Sequence, residues 1–286
     1  MYNFLFENRN KPDLQYSLLG GESWILEIEK CKYRRMKHEI IEVTEDNLFD
    51  HPGAICFINP KHELYDRKIH WLKEQFKVGL KIKLLYLEDV KKPVGFIEYI
   101  PGENCWRAVN AEGYMFIHCL WTNGKKYQHQ GLGSMLIHEA EKDTRGNAGV
   151  CAVTSDKGFM SSKNIFLKNG YSALSDSGKE QLMVKQFKKR PLPKINNWQD
   201  KLKEYQGFYM IYSRQCPWVA RFIEEVKPVL REKNLEPKII ELKNHEDVQN
   251  GPSLYGAFNL IYNGRLFADR YISTTRFLNI VKKDIE

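Results

Sequence analysis

The chain lacks most of the features that assign a protein to a special class. Its six cysteines, at positions 31, 56, 105, 119, 151 and 216 of 286 residues, are scattered, and none forms a Cys-x-x-Cys pair. That spacing excludes a disulfide framework, and without such a pair or a nearby His-x-x-x-His there is no structural zinc motif, so no metal is expected. No apolar run approaches the roughly 20 residues a membrane helix requires. The opening MYNFLFENRNKPDLQYSLL has neither a basic n-region nor an uninterrupted apolar stretch, so no secretory signal is read there. A cytoplasmic location with no membrane partner is expected. Internal repeats and low-complexity tracts are also missing.

What remains is the composition of a globular protein, with 42% hydrophobic and 28% charged residues, which argues against disorder. The length favours two domains over one core. A net charge of +8 raises the question of a polyanionic partner. Residues 201–286, however, hold 14 basic and 11 acidic side chains, so the excess is dispersed and nucleic acid is not the expected partner. The densest patch is Lys185, Lys188, Lys189, Arg190 and Lys194 in KQFKKRPLPK, where two prolines read as a solvated linker. A phosphate-bearing small ligand would also account for a basic surface.

Three segments follow from the pattern. Residues 1–35 form an N-terminal extension with one strand-like stretch, Ser23 to Glu29. From 36 to 187 the order is EIIEV, a helical stretch, then the strand-like runs KIKLLYLE, PVGFIEYI and YMFIHCLW, with CWRAV before the last. Next come LGSMLIHEAEKDT, with Leu132, Met135, Leu136 and Ala140 at helical spacing, and the apolar AGVCAVT, a buried strand. A short helix over Ser161–Lys168 ends at Asn169-Gly170, and a strand over Gln181–Phe187 closes the segment. After a linker over 188–200, residues 201–286 read as a β-α-β unit (GFYMIYS, a helix from Pro217, PKIIEL). A hairpin across Asn263-Gly264 and a terminal helix complete it.

The most informative string is Tyr127-Gln128-His129-Gln130-Gly131-Leu132-Gly133, placed between a strand and an amphipathic helix. A helix N-terminus offers unpaired amides and partial positive charge, and two glycines let a phosphate approach the backbone. Gly-x-Gly also serves ordinary tight turns, so the string alone leaves both readings open. Gln128-x-x-Gly131-x-Gly133 resembles the acyl-CoA-binding motif of the GNAT N-acetyltransferases, and the resemblance extends over residues 36–187: an antiparallel meander before it, AGVCAVT after it, and IFLKNGY as the closing helix-to-strand segment. It implies a mixed α+β sheet flanked by helices and acetyl-CoA as co-substrate. It also implies that the backbone at Leu120 and Trp121 meets the pantetheine arm, while Gln128, His129, Gln130, Gly131, Leu132, Gly133 and Ser134 hold the pyrophosphate, with Ser162 nearby.

Amine attack on a thioester needs a base, an oxyanion site and a proton for the leaving thiolate. Alternation in PVGFIEYI sets Glu98 beside Phe96 and Ile100, so a desolvated carboxylate with a raised pKa is expected to serve as base, with Glu103 and Glu112 as substitutes. The family's usual tyrosine donor position is Phe166 in this chain, which cannot give a proton. Tyr171, Ser161, Ser162, Cys119 or solvent remain as donors. His118 and Cys119 read chiefly as core.

In the second segment, Cys216 precedes the Pro217 helix. The helix amides, with Arg214 nearby, are expected to depress its pKa and make it a possible thiol site. Cys216-Pro217-Trp218-Val219 resembles the Cys-Pro-x-Cys site of thioredoxin-like proteins with Val219 in place of the second cysteine, and Gly256 stands where that superfamily usually has a cis-proline. The two-part arrangement resembles the YoaP-like bacterial acetyltransferases. The expectation is therefore an N-acetyltransferase acting on a primary amine of a small molecule or peptide, with a smaller thioredoxin-like α/β domain that positions substrate or senses thiol state. A non-catalytic acyl-CoA or thiol-state sensor is the alternative.

Overall fold

In the computed structural model, residues 37–51, 54, 58, 59, 61, 62, 64–144, 146–155, 160–174 and 180–285 are described. The strand expected over Ser23–Glu29, together with Cys31 and Cys56, lies outside them. Residues 38–286 form one unit with a continuous core.

Strands β1 (His38–Val43), β2 (Lys81–Leu87), β3 (Gly95–Pro101), β5 (Met115–Thr122), β6 (Gly149–Ser155), β7 (Ser172–Ala173) and β8 (Glu180–Gln186) make one sheet in the order β1-β2-β3-β5-β6-β8-β7. The series β1-β2-β3-β5 is antiparallel throughout; a short connection joins β2 to β3, whereas a long helical one joins β1 to β2. The pair β5 and β6 is the parallel one, joined through helix α2 (Leu132–Asp143). Strand β3 is buried along Gly95–Ile100, because elements cover both faces of the sheet, and this explains why its sequence reads as an almost unbroken apolar run. Helix α1 (Tyr65–Lys77) buries Tyr65, Lys68, Ile69, Leu72 and Gln75 at helical spacing, which places a lysine in its apolar stripe. Three 3-10 turns (Leu48–Asp50, Gly102–Asn104 and Lys125–Tyr127) and helix α3 (Lys163–Lys168) complete the described residues of this part. Asn169 ends α3, and Gly170 takes the positive φ of 79° that a C-terminal cap requires.

The remaining strands include a two-stranded ribbon and a second sheet. The segment expected as a solvated linker is exposed over residues 186–192. It then pairs as β9 (Lys194–Ile195) with β4 (Val109–Asn110), and a short helix α4 (Trp198–Leu202) follows. Strands β10 (Phe208–Ser213), β11 (Lys238–Leu242), β12 (Phe258–Tyr262) and β13 (Arg265–Ala268) stand in the order β11-β10-β12-β13. Strands β10 and β11 are parallel across helix α5 (Pro217–Glu232). Helix α6 (His245–Gln249) leads toward β12, which is antiparallel to β10, and helix α7 (Thr274–Asp284) closes the chain. At the β12–β13 turn Asn263 and Gly264 have φ of 47° and 71°, the double positive φ of a type I′ hairpin. One face of this sheet, with Met210, Phe258 and Leu260, packs on Phe222, Phe277 and Val281 of α5 and α7. The other face, with Ile211 and Ile261, joins the core that contains Trp71 and Trp106. The C-terminal lobe therefore packs directly on the first.

Candidate active site

The first half of the site is built where the sheet opens. The β5–β6 ladder pairs only Met115–Ile117 with Val150–Ala152, so β5 runs on to Thr122 beyond its parallel partner. Along that stretch lie Leu120 and the exposed Trp121. The Ser161 hydroxyl donates to the Leu120 carbonyl at 3.0 Å. A Cβ placed on Gly133 would lie 3.9 Å from Leu120, an ordinary contact, but 2.5 Å from the tip of the Ile165 side chain, so the glycine lets α2 pack closely against that side chain beside the strand end. The loop before α2 is exposed from Lys125 to Gln130 apart from part-buried Tyr127. His129 has φ of 59° and Gly131, the N-cap of α2, has φ of 80°. No side chain caps α2, so its first amides stay available to an anion. Gln130 donates back to the Lys126 carbonyl at 2.6 Å and stiffens the loop. The Ser134 hydroxyl oxygen accepts from the Asn169 amide at 3.0 Å, and Ser162 serves as the N-cap of α3. Leu120, Gly133 and Ser161 thus lie together at this strand end.

The second half is a buried charge cluster that the sequence did not assemble. Glu98 pairs across the sheet with Cys119, and the pairing then jumps to Tyr99 opposite Ile117, which makes His118 the extra residue of a β-bulge. The bulge aims the His118 ring at the carboxylate: Nδ1 lies 3.1 Å from Glu98 Oε1, while Nε2 accepts the Trp106 amide at 2.9 Å. Since Nε2 accepts, Nδ1 carries the proton and donates it to Glu98. Gln215 Nε2 donates to the same Oε1 at 3.2 Å, and Lys68 Nζ lies 3.5 Å from Oε2. Lys68 also donates to the Gln215 carbonyl at 2.8 Å and sits 3.8 Å over the Trp71 ring. Arg107 donates through one terminal nitrogen to Gln215 Oε1 at 2.5 Å and through the other to the His118 carbonyl at 3.1 Å. Each of Lys68, Glu98, Arg107, His118 and Gln215 keeps 5% or less of its surface exposed.

These contacts correct the expected ionisation of Glu98. Burial pushes its pKa up as anticipated, but Lys68, the His118 N–H and the Gln215 amide outweigh burial and hold the carboxyl at about 2. His118 is driven down to about 4, chiefly by burial, so it is neutral at pH 7 and, with both nitrogens engaged, is no free base. Burial together with the Glu98 charge pushes the Cys119 thiol up to about 12.

The expected activation of Cys216 is corrected as well. It does stand as the N-cap of α5 with Pro217 in the first turn. Burial nonetheless raises its pKa, and the amides of Val219 and Trp218 with the charges of Lys68 and Arg107 do not reverse this. Arg214 is turned away, paired through Nε with Glu241, which also accepts from Tyr212 at 3.2 Å. The structure brings Glu98, Cys119 and Cys216 into one electrostatic neighbourhood. Tyr171 lies elsewhere, edge-on to Phe166 at 5.2 Å beside Lys185, with burial and Glu141 pushing its pKa well up. Glu103 and Glu112 line a separate polar cleft with Asn110, Asn196 and Gln249. Among the described residues no group of three His, Cys, Asp or Glu side chains is placed to hold a metal ion, and no helix is long and apolar enough to cross a membrane.

Residues 41–171 match the family model described as the acetyltransferase (GNAT) family. Acetyl-CoA is the co-substrate of its chemistry. Over 248 residues the chain is 26% identical to the uncharacterized N-acetyltransferase YoaP of Bacillus subtilis strain 168, a match covering 83% of this chain and 96% of that one. Among solved structures it is similar to the aminoglycoside 6'-N-acetyltransferase of Enterococcus faecium, at 19% identity and a TM-score of 0.38 over 54% of this chain and 99% of that one. A PaiA N-acetyltransferase from Thermoplasma acidophilum in complex with coenzyme A is similar at 17% identity and a TM-score of 0.35, over 53% and 100%.

Proposed function

We propose that the protein transfers the acetyl group of acetyl-CoA to a primary amine of a small molecule or peptide in the cytoplasm, and that a thioredoxin-like C-terminal lobe shapes the acceptor side. The observation that carries the reading is the uncapped N-terminus of α2 behind an exposed glycine loop, next to a strand end freed from its parallel neighbour. The loop amides from Gln128 to Ser134 hold the pyrophosphate, and the backbone at Leu120 and Trp121 receives the pantetheine arm. Thioredoxin-like describes the strand order β11-β10-β12-β13 with β10 and β11 parallel. The raised pKa of Cys216 makes positioning, rather than thiol turnover, the better reading of this lobe.

In the reaction a C–N bond forms at the thioester carbon, the C–S bond breaks, and the thiolate leaves. A carboxylate held at about 2 captures little of the amine proton itself, because a base so weak has little driving force for proton transfer. Glu98 instead supplies a fixed negative charge beside the nitrogen as it becomes cationic, and the proton passes to solvent. The test is thermal unfolding with and without acetyl-CoA, followed by free-CoA release with a panel of amines. A ligand at 100 times its Kd stabilises by about 2.7 kcal/mol, so Tm should rise clearly. No shift at millimolar acetyl-CoA would defeat the reading; a shift with no CoA released from any amine would make the protein an acyl-CoA sensor.

A further inference from the structure

The acetyltransferase domain does not complete its own charge cluster. Glu98 and Lys68 belong to the first lobe, as do His118 and Arg107, but the group that connects all the charged members is Gln215, on the segment between β10 and α5 of the C-terminal lobe. Its orientation is fixed by chemistry. Arg107 can only donate, so the amide oxygen must face the guanidinium, at 2.5 Å, and the amide nitrogen must then face Glu98, at 3.2 Å. The backbone carbonyl of the same residue takes the Lys68 ammonium at 2.8 Å. Gln215 therefore stands between a buried guanidinium and a buried carboxylate, and it helps keep that carboxylate ionised.

We propose that Gln215 is a positioning residue of the acetyltransferase site, through which the C-terminal lobe sets the orientation and ionisation of Glu98. The inference rests on the acetyl-transfer reading above. It makes the second lobe a working part of the first lobe's chemistry, because Gln215 brings from that lobe an acceptor for Arg107 and a donor for Glu98, the pair of contacts that His118 makes from within the first lobe.

The experiment compares the full-length protein with Gln215→Leu and Gln215→Glu. Gln215→Leu removes both amide bonds at nearly constant size; Gln215→Glu keeps the acceptor for Arg107 but turns a carboxylate toward Glu98. Both should retain the acetyl-CoA-dependent rise in Tm and the KM for acetyl-CoA. Both should lower kcat by about tenfold or more, the order expected when a hydrogen bond to a buried charge is lost. An acid limb should appear in the pH–rate profile as Glu98 titrates at higher pH, further up in Gln215→Glu.

A second measurement does not depend on turnover. Glu98 has a folded pKa near 2 against an ordinary value of 4.5, so its stabilisation is lost as pH falls from 4.5 toward 2. With Gln215 replaced by leucine the folded pKa rises, and the drop in Tm between pH 7 and pH 3.5 should be smaller than in the wild type. In a Glu98→Gln background the same replacement should leave that drop unchanged. Equal drops in wild type and Gln215→Leu, or an unaltered kcat and pH profile, overturn the proposal. A wild type that acetylates no amine overturns the enzyme reading instead, and the two failures are thereby told apart.

Discussion

The two halves of the site solve opposite problems. The glycine loop leaves hydrogen-bonding capacity unspent: its helix has no cap, its residues face solvent, and its amides await an anion. The charge cluster spends nearly everything it has, since each carboxylate oxygen, both His118 nitrogens and the Gln215 amide are engaged among themselves. One half is arranged to receive a large anionic ligand, the other to hold a fixed electrostatic environment beside it. Substitutions should therefore separate them: loop changes alter ligand binding with little effect on the fold, and cluster changes alter stability and turnover with little effect on ligand affinity.

The largest effect is expected at Gly133, where a large side chain must displace the tip of Ile165, 2.5 Å from a Cβ, and crowd the helix start, and at Gly131, whose φ of 80° disfavours other residues. Gly133→Leu or Gly131→Val should abolish the acetyl-CoA shift in Tm; retained binding in both would mean that the loop is only a turn. Next is Lys68→Met, which leaves Glu98 buried without its cation and should destabilise by about 3–5 kcal/mol in a denaturant titration. A loss below about 1 kcal/mol would show that the carboxylate is satisfied without the ammonium.

Third, Glu98→Gln should lower kcat while leaving acetyl-CoA affinity close to wild type, the mark of an interaction exerted during turnover. It should also remove the acid-sensitive part of stability below pH 4.5. His118 adds a second acid window with the same sign. Its folded pKa near 4 lies below its ordinary 6.5, so stability falls as pH drops through that interval. Wild-type Tm should therefore decline on acidification from about pH 6.5 downward, and a flat profile to pH 4 would contradict the neutral, doubly bonded His118. The smallest effect concerns Cys216. Its raised pKa predicts slow alkylation at pH 7 that accelerates in alkaline solution, and Cys216→Ser should change kcat by less than about twofold. Rapid labelling at neutral pH would reopen the thiol-sensing role.

The local elements were legible because periodicity and turn chemistry act over short stretches. PVGFIEYI, YMFIHCLW and AGVCAVT became β3, β5 and β6, and Asn263-Gly264 made the hairpin turn. The uncapped glycine loop was legible for the same reason, its function residing in consecutive backbone amides. The charge cluster was not, since it draws on α1, β3, the Trp106–Arg107 segment, β5 and the loop before α5. One signal did exist: Lys68 occupies the stripe that Tyr65, Ile69 and Leu72 define, where a lysine must find a buried partner. Desolvation could be inferred for Glu98 from its apolar neighbours, but the sign of its pKa shift depended on residues 30 positions upstream and 117 downstream. The activation expected at Cys216 failed likewise, because Arg214 found Glu241 and packing left the thiol only part-exposed, which raises its pKa.

The 147-residue separation between Lys68 and Gln215 has a consequence for biosynthesis. Domains tend to fold in the order they are made. A nascent chain ending near residue 187 already contains the glycine loop and the sheet around it, yet it lacks the three Gln215 hydrogen bonds that close the cluster. The ligand cradle is therefore encoded early and the charge arrangement late, so that a prematurely released product would keep the means to hold acetyl-CoA without the finished environment in which to use it.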